Sequence, residues 1–313
     1  MPRWLTDIWR WVHLLLLWGS VVALIAAELI LLQIGLVAGG GAYMGVLFIT
    51  LLVSVTAPND AAARLAQLLT LLPALRIMTL TLPLTLLPQY GWYILTGLPV
   101  LLATLLFVRR VGLRRQQIGL TLRGWWLQFG LAGSGIGLGV VIYPLLNLPP
   151  MLDSPTLRQI IVASVSLLVF NGLVEELLFR SVVRLVASPT LGLAAPVFGA
   201  VLYTGLSVGY GSPIYLLIVF LLSLVLWFIV GQSHSLIGAV LLHTNLSLTL
   251  LLVMPTLAGP AYSAYRPLAY AGAGVTSAIG IIALLWLIWM RASLLFPAAY
   301  RRPPLRQRGS PLS

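Results

Sequence analysis

The chain has 313 residues, of which 60% are hydrophobic and 8% charged, with a mean hydropathy of +1.05. So little polar surface cannot coat a water-soluble globule, which makes lipid the solvent for most of the chain. The 18 basic residues, all arginines, outweigh six acidic ones to give a net charge of +12. Their grouping at Arg109, Arg110, Arg114, Arg115 and Arg123, and at Arg301, Arg302, Arg306 and Arg308, is that of loops held on the cytoplasmic side, not of a nucleic-acid surface.

A membrane-crossing helix needs about 20 apolar residues, because its backbone hydrogen bonds must close within the segment. The pattern predicts an all-α, multi-pass transmembrane helical bundle of about 8–10 helices, with membrane lipid as its partner and no nucleic acid. The first two spans are expected near Trp11–Gly39 and Gly41–Ala57, followed by capping chemistry at Pro58-Asn59-Asp60. Ala61–Leu72 reads as an interfacial segment, and Pro73, Pro83 and Pro88 as interruptions of a hairpin between Leu71 and Val108.

Further spans are expected near Trp125–Leu148, Leu157–Val186, Leu191–Val208, Pro213–Val230, Ser235–Met254 and Ala269–Met290. Six crossings bring both arginine groups to one side, with Asp153 outside and Arg184 at a cytoplasmic helix end. Gly133, Gly135, Gly137 and Gly139 have the small-residue spacing of close helix packing. The division is 1–108, N-terminal helices; 109–124, basic cytoplasmic linker; 125–256, core; 257–290, last helix; and 291–313, basic tail. Arginine as the sole basic residue type hints at a bacterial cell membrane. The lack of cysteine rules out thiolate chemistry.

Charge inside an apolar helix costs about 2.5–3.5 kcal/mol on insertion scales, so it should face a partner, the bundle interior or water. Glu175 and Glu176, followed by Arg180, are such charges. Glu176 and Arg180 stand at i,i+4 and can pair, while Glu175 projects about 100° away and is free to take a proton from water. Alternatively, the pair is a buried ion pair and Glu175 is protonated. His243 lies at a similar depth on a later helix, which points to a shared site. His13 and His234 read as structural, and Glu28 as an isolated carboxyl within the first span.

The run Glu175-Glu176-Leu177-Leu178-Phe179-Arg180, with the later helix Ser235–His243, resembles the CPBP family of CAAX-type, bacteriocin-processing and abortive-infection membrane endopeptidases, over about Leu120–Leu252. The resemblance implies an intramembrane endopeptidase in which Glu175 activates water and His243 assists, with Glu176 and Arg180 shaping the site and a membrane-proximal peptide as substrate. Two motifs depart from the family. Tyr203 and Ser207 fall where a Phe-x-x-x-His helix is expected, and Ser247 replaces the Asn or Asp four residues after His243.

Serine does not titrate near neutrality and is a poor metal ligand. A zinc site takes about three protein ligands, and only His243, Glu175 and perhaps Glu176 are available, so the cofactor, a divalent metal included, is left unknown. The departures open an alternative, a pseudoprotease that binds membrane partners without cutting. Two lesser readings are Ser207 as a covalent nucleophile and a transporter, the latter without a half-repeat to support it.

Overall fold

The structure, a computed structural model, describes residues 3–146, 148–152, 155–210 and 212–295. Asp153 lies outside the described residues, as does 296–313 with its arginines; residues 291–295 of the expected tail continue the last helix. Among the described residues every long element is a helix, and nine are long and apolar enough to cross a membrane. These are α1 (Arg3–Gln33), α2 (Leu36–Val55), α3 (Asp60–Leu80), α4 (Gln89–Val111), α5 (Trp125–Leu146), α6 (157–191), α7 (Ala195–Leu206), α8 (Pro213–Ser233), α9 (237–258) and α10 (Arg266–Leu295), with α6 and α7 forming one continuous candidate span, Leu157–Leu206. The all-α, multi-pass expectation is thereby met.

Two boundaries differ from the sequence reading. The break between α1 and α2 falls at Gly35, whose φ of 118° suits glycine and not a residue bearing a Cβ. Pro73 lies inside α3 and does not interrupt it, so 61–72 is the first half of a helix long and apolar enough to cross a membrane. A proline removes one backbone bond, a loss that a helix packed among neighbours tolerates. The turn before α3 is capped as expected, with Asn59 Oδ1 accepting from the Ala62 amide at 2.9 Å.

The glycine series on α5 packs two helices at once. Gly135 and Gly139 face α9 at Leu242 and Thr249, whereas Gly133 and Gly137 face α10 at Thr276 and Ser277. A Cβ on Gly135 would strike the Leu242 carbonyl and stand 3.0 Å from the Leu246 amide. Backbone cannot yield as a flexible side chain can, so α9 would have to move. Gly135→Ala is therefore expected to destabilise by about 1–3 kcal/mol, as overpacking does, in thermal unfolding of the detergent-solubilised protein. Gly40→Ala, with nothing within 4 Å of the added carbon, should be nearly silent; equal midpoints for the two variants would refute the close-approach account.

The basic segment between α4 and α5 is not a free linker. Ile118 is buried, and its carbonyl accepts from Ser181 Oγ on α6 at 2.9 Å. The Gly119 carbonyl accepts from the Leu236 amide at 2.8 Å, and that of Thr121 from Ser235 Oγ at 2.7 Å. The segment thus ties the body of α6 to the start of α9. Its arginines are left to the outer face.

Candidate active site

Three helices build the site. α6 supplies Asn171, Glu175, Glu176 and Arg180; α7 supplies Tyr203 and, just past its end, Ser207; α9 supplies His243 and Ser247. α6 carries π-type turns over Leu167–Leu173 and Leu177–Val183, on either side of the two glutamates. Such wide turns shift which side chains share a face and recur at functional positions. α6 and α9 touch closely at Gly172, where a Cβ would collide with the Thr244 hydroxyl.

Glu176 is fully buried and sits between two partners. Its Oε2 lies 3.4 Å from Arg180 Nε, the i,i+4 pairing read from the sequence, and its Oε1 lies 2.8 Å from Nδ1 of His243. The second contact was not anticipated: His243 reaches Glu176 and not Glu175. Arg180 is itself buried and lies with Cζ 4.0 Å over the Tyr203 ring, a cation–π contact that supports a guanidinium with no geometrically good hydrogen bond among the described residues. Neither Glu176 nor Arg180 lines either of the two cavities that Glu175 walls.

Glu175 is held differently. Tyr203 Oη donates to its Oε2 at 2.5 Å, and Asn171 Nδ2 donates to its Oε1 at 3.0 Å. Asn171 in turn accepts at Oδ1 from Ser247 Oγ at 2.6 Å. Asn171 was not singled out from the sequence, although its position one helical turn before Glu175 was the available signal. Ser207 Oγ donates to the Tyr203 carbonyl at 3.1 Å. Asn245 points away, with Nδ2 donating to the Ala132 carbonyl on α5.

Asn171, Glu175, Tyr203, Ser207, His243 and Ser247 all line one cavity of about 340 Å³. With Nδ1 engaged by Glu176, the imidazole has Nε2 left for that cavity, and the carboxylate fixes the ring's orientation. Among the described residues no three His, Asp or Glu side chains converge to hold a metal ion. Glu176 is taken up by Arg180 and His243, so the donor set does not fit one.

The remaining titratable residues divide. His13 is buried in the first helix, and His234 adopts the left-handed conformation (φ 54°) that ends α8. Glu28 is not isolated as expected. It pairs with Arg76 of α3, Nε to Oε1 at 2.7 Å and Nη2 to Oε2 at 2.9 Å.

These elements define a multi-pass helical membrane protein with a carboxylate, an imidazole and hydroxyls around one intramembrane cavity. Residues 157–249 match the family model described as Rce1-like, type II CAAX prenyl endopeptidase Rce1-like. The match bears out the CAAX-protease resemblance, over a shorter stretch than the motifs suggested; α5 falls outside it. Comparison with curated proteins and with solved structures gives no match.

Proposed function

We propose that the protein is a membrane endopeptidase of the CAAX-protease type, with Glu175 as general base and His243 as the group that meets the peptide carbonyl. In this reading a water in the cavity gives its proton to Glu175 as its oxygen bonds to the carbonyl carbon. Protonated His243, its Nδ1–H on Glu176, presents Nε2–H to the oxygen that gains charge. Collapse breaks the C–N bond, and the departing amine takes the proton held by Glu175. Arg180 offsets the charge of Glu176, and Asn171 and Tyr203 aim the base.

The observation that carries this reading is the anchoring of both Glu175 oxygens at a cavity that His243 also lines, within the segment matched by the family model. An apolar cavity of about 440 Å³ between α5, α8, α9 and α10 shares Ile142, Ile218 and Leu222 with it. That space suits an isoprenoid or acyl chain, so a prenylated peptide is the first substrate to try.

The test is cleavage by the purified full-length protein in liposomes of prenylated and unmodified membrane-proximal peptides, read by mass spectrometry. Cleavage that His243→Gln abolishes supports the proposal; cleavage unchanged in His243→Gln overturns it. Ser207→His, which returns an imidazole to a position walling the same cavity, is expected to raise turnover. The serines at 207 and 247 favour a second reading, a binder that does not cut, for which the supporting result is saturable peptide capture with no product.

A further inference from the structure

The cavity that Glu175 shares with His243 runs one way along the bundle. Its walls include Gln89 and Tyr93 from the first five residues of α4, Leu146 from the end of α5, Tyr215 from the first turn of α8, and Leu250 and Leu251 from the half of α9 beyond His243. These portions gather at one end. Ser166, in the first half of α6, donates to the Tyr90 carbonyl at 2.8 Å, and the Met151 amide, past α5, donates to the Leu251 carbonyl at 3.0 Å. Arg109 and Arg110 close α4 at the opposite end, and Arg123 stands just before α5.

Toward the arginines the chain is packed shut. Glu176 and Arg180 are buried there, Ser181 meets Ile118, Leu236 meets Gly119, and Gln128 Oε1 takes the Gly238 amide at 2.9 Å. No described residue of 109–124 lines the cavity. At the other end its wall reaches Pro149, which is exposed. Five arginines lie between residues 109 and 123, against Arg158 and Arg266 at the helix starts of the cavity's end. That imbalance holds the arginine-rich end in the cytoplasm, so the cavity faces the other side.

We infer that the substrate of this site enters from the extracytoplasmic face, as an exported, membrane-proximal segment whose apolar, uncharged residues lead from the mouth to Glu175. Leu251 lies eight residues beyond His243, about 12 Å along a helix. An extended chain covers that distance with about four residues. Apart from Glu175 and His243, no described side chain on the wall carries a charge near neutral pH, so a charged residue on the incoming chain would find no counter-ion there. That the occupant is cut rests on the endopeptidase reading; the side from which it enters does not.

The chain has no cysteine, so single thiols report on access without interference. In the full-length protein, Ser247→Cys and Leu251→Cys place a thiol on the cavity wall, while Gln116→Cys in the basic segment and Ala264→Cys before α10 place one at exposed positions of the two ends. A charged, membrane-impermeant methanethiosulfonate is added to right-side-out and to inverted vesicles of a bacterial host. Gln116→Cys is expected to react only in inverted vesicles and Ala264→Cys only in right-side-out ones, with the cavity positions following Ala264→Cys. Cavity labelling from the Gln116 side, labelling of neither cavity position, or reversed reporters overturns the inference.

A second arm reads cleavage. The same apolar segment is joined to a single membrane span so that it lies on the outer or on the cytoplasmic side. Cleavage of the outer fusion alone, lost in His243→Gln, supports the exported substrate; cleavage of the cytoplasmic fusion overturns it and keeps the protease reading. Outer-side labelling with neither fusion cut keeps the direction of entry and removes the protease reading.

Discussion

Glu175→Gln is expected to lower peptide cleavage by about 10²–10⁴-fold, the range for removing a general base, while leaving the unfolding midpoint near that of the unaltered protein. The amide has almost the same shape, and its oxygen can still accept from Asn171 Nδ2. Its nitrogen can donate to the Tyr203 hydroxyl, which reverses its own role from donor to acceptor. Both contacts survive in changed form, and only the basic site is lost. The comparison is initial cleavage rate against thermal midpoint in the same detergent. A variant that cuts at the original rate would remove Glu175 as the base, and one that unfolds early would make its role structural.

Glu176→Ala is expected to act in the opposite way, costing about 3–5 kcal/mol of stability, as the loss of one partner of a buried ion pair does. The carboxylate it removes is fully buried and answers both Arg180 at 3.4 Å and His243 at 2.8 Å. Arg180 would keep only the Tyr203 ring, in a place where water cannot reach it. The charge-removing pair Glu176→Leu/Arg180→Met should recover part of the loss, because no buried charge is then left alone. The check is denaturant or thermal unfolding of the three variants. A double variant worse than Glu176→Ala would mean that shape, not charge, dominates there.

Adjacent glutamates thus make separate sets of contacts, and how far that was readable depends on distance along the chain. The Glu176–Arg180 pair was visible because i,i+4 spacing is a local rule. The Glu28–Arg76 pair joins residues 48 apart on different helices, and no periodicity announces such a meeting. Counting rise per residue put His243 level with the two glutamates, but level alone does not choose between neighbouring carboxylates. The π-type turns on α6, whose hydrogen bonds leave no mark on composition, also shift which side chains share a face.

The fold was easier to read because lipid demands long apolar helices, and their lengths are printed in the hydropathy. Pro73 misled because a proline that would break a helix in water is accommodated in a packed membrane helix. Tyr203 was noted only as the aromatic of a motif. Its hydroxyl on Glu175 and its ring under Arg180 needed the three-dimensional contact. Asn171, likewise, looked like one more polar residue until Ser247 was found on its other end.

The basic segment between α4 and α5 also limits how the chain can be recombined. Its carbonyls at Ile118, Gly119 and Thr121 receive hydrogen bonds from Ser181, Leu236 and Ser235, on the body of the helix that bears Glu175 and just ahead of the one that bears His243. A chimaera that imports the first four helices from another protein and joins them before Gly112 retains that brace. One joined after Gly124 discards it, leaving the Ser181 hydroxyl and the start of α9 to find new hydrogen-bond partners. In any shuffling of such proteins the useful seam lies ahead of the arginines, and the short basic loop travels with the site.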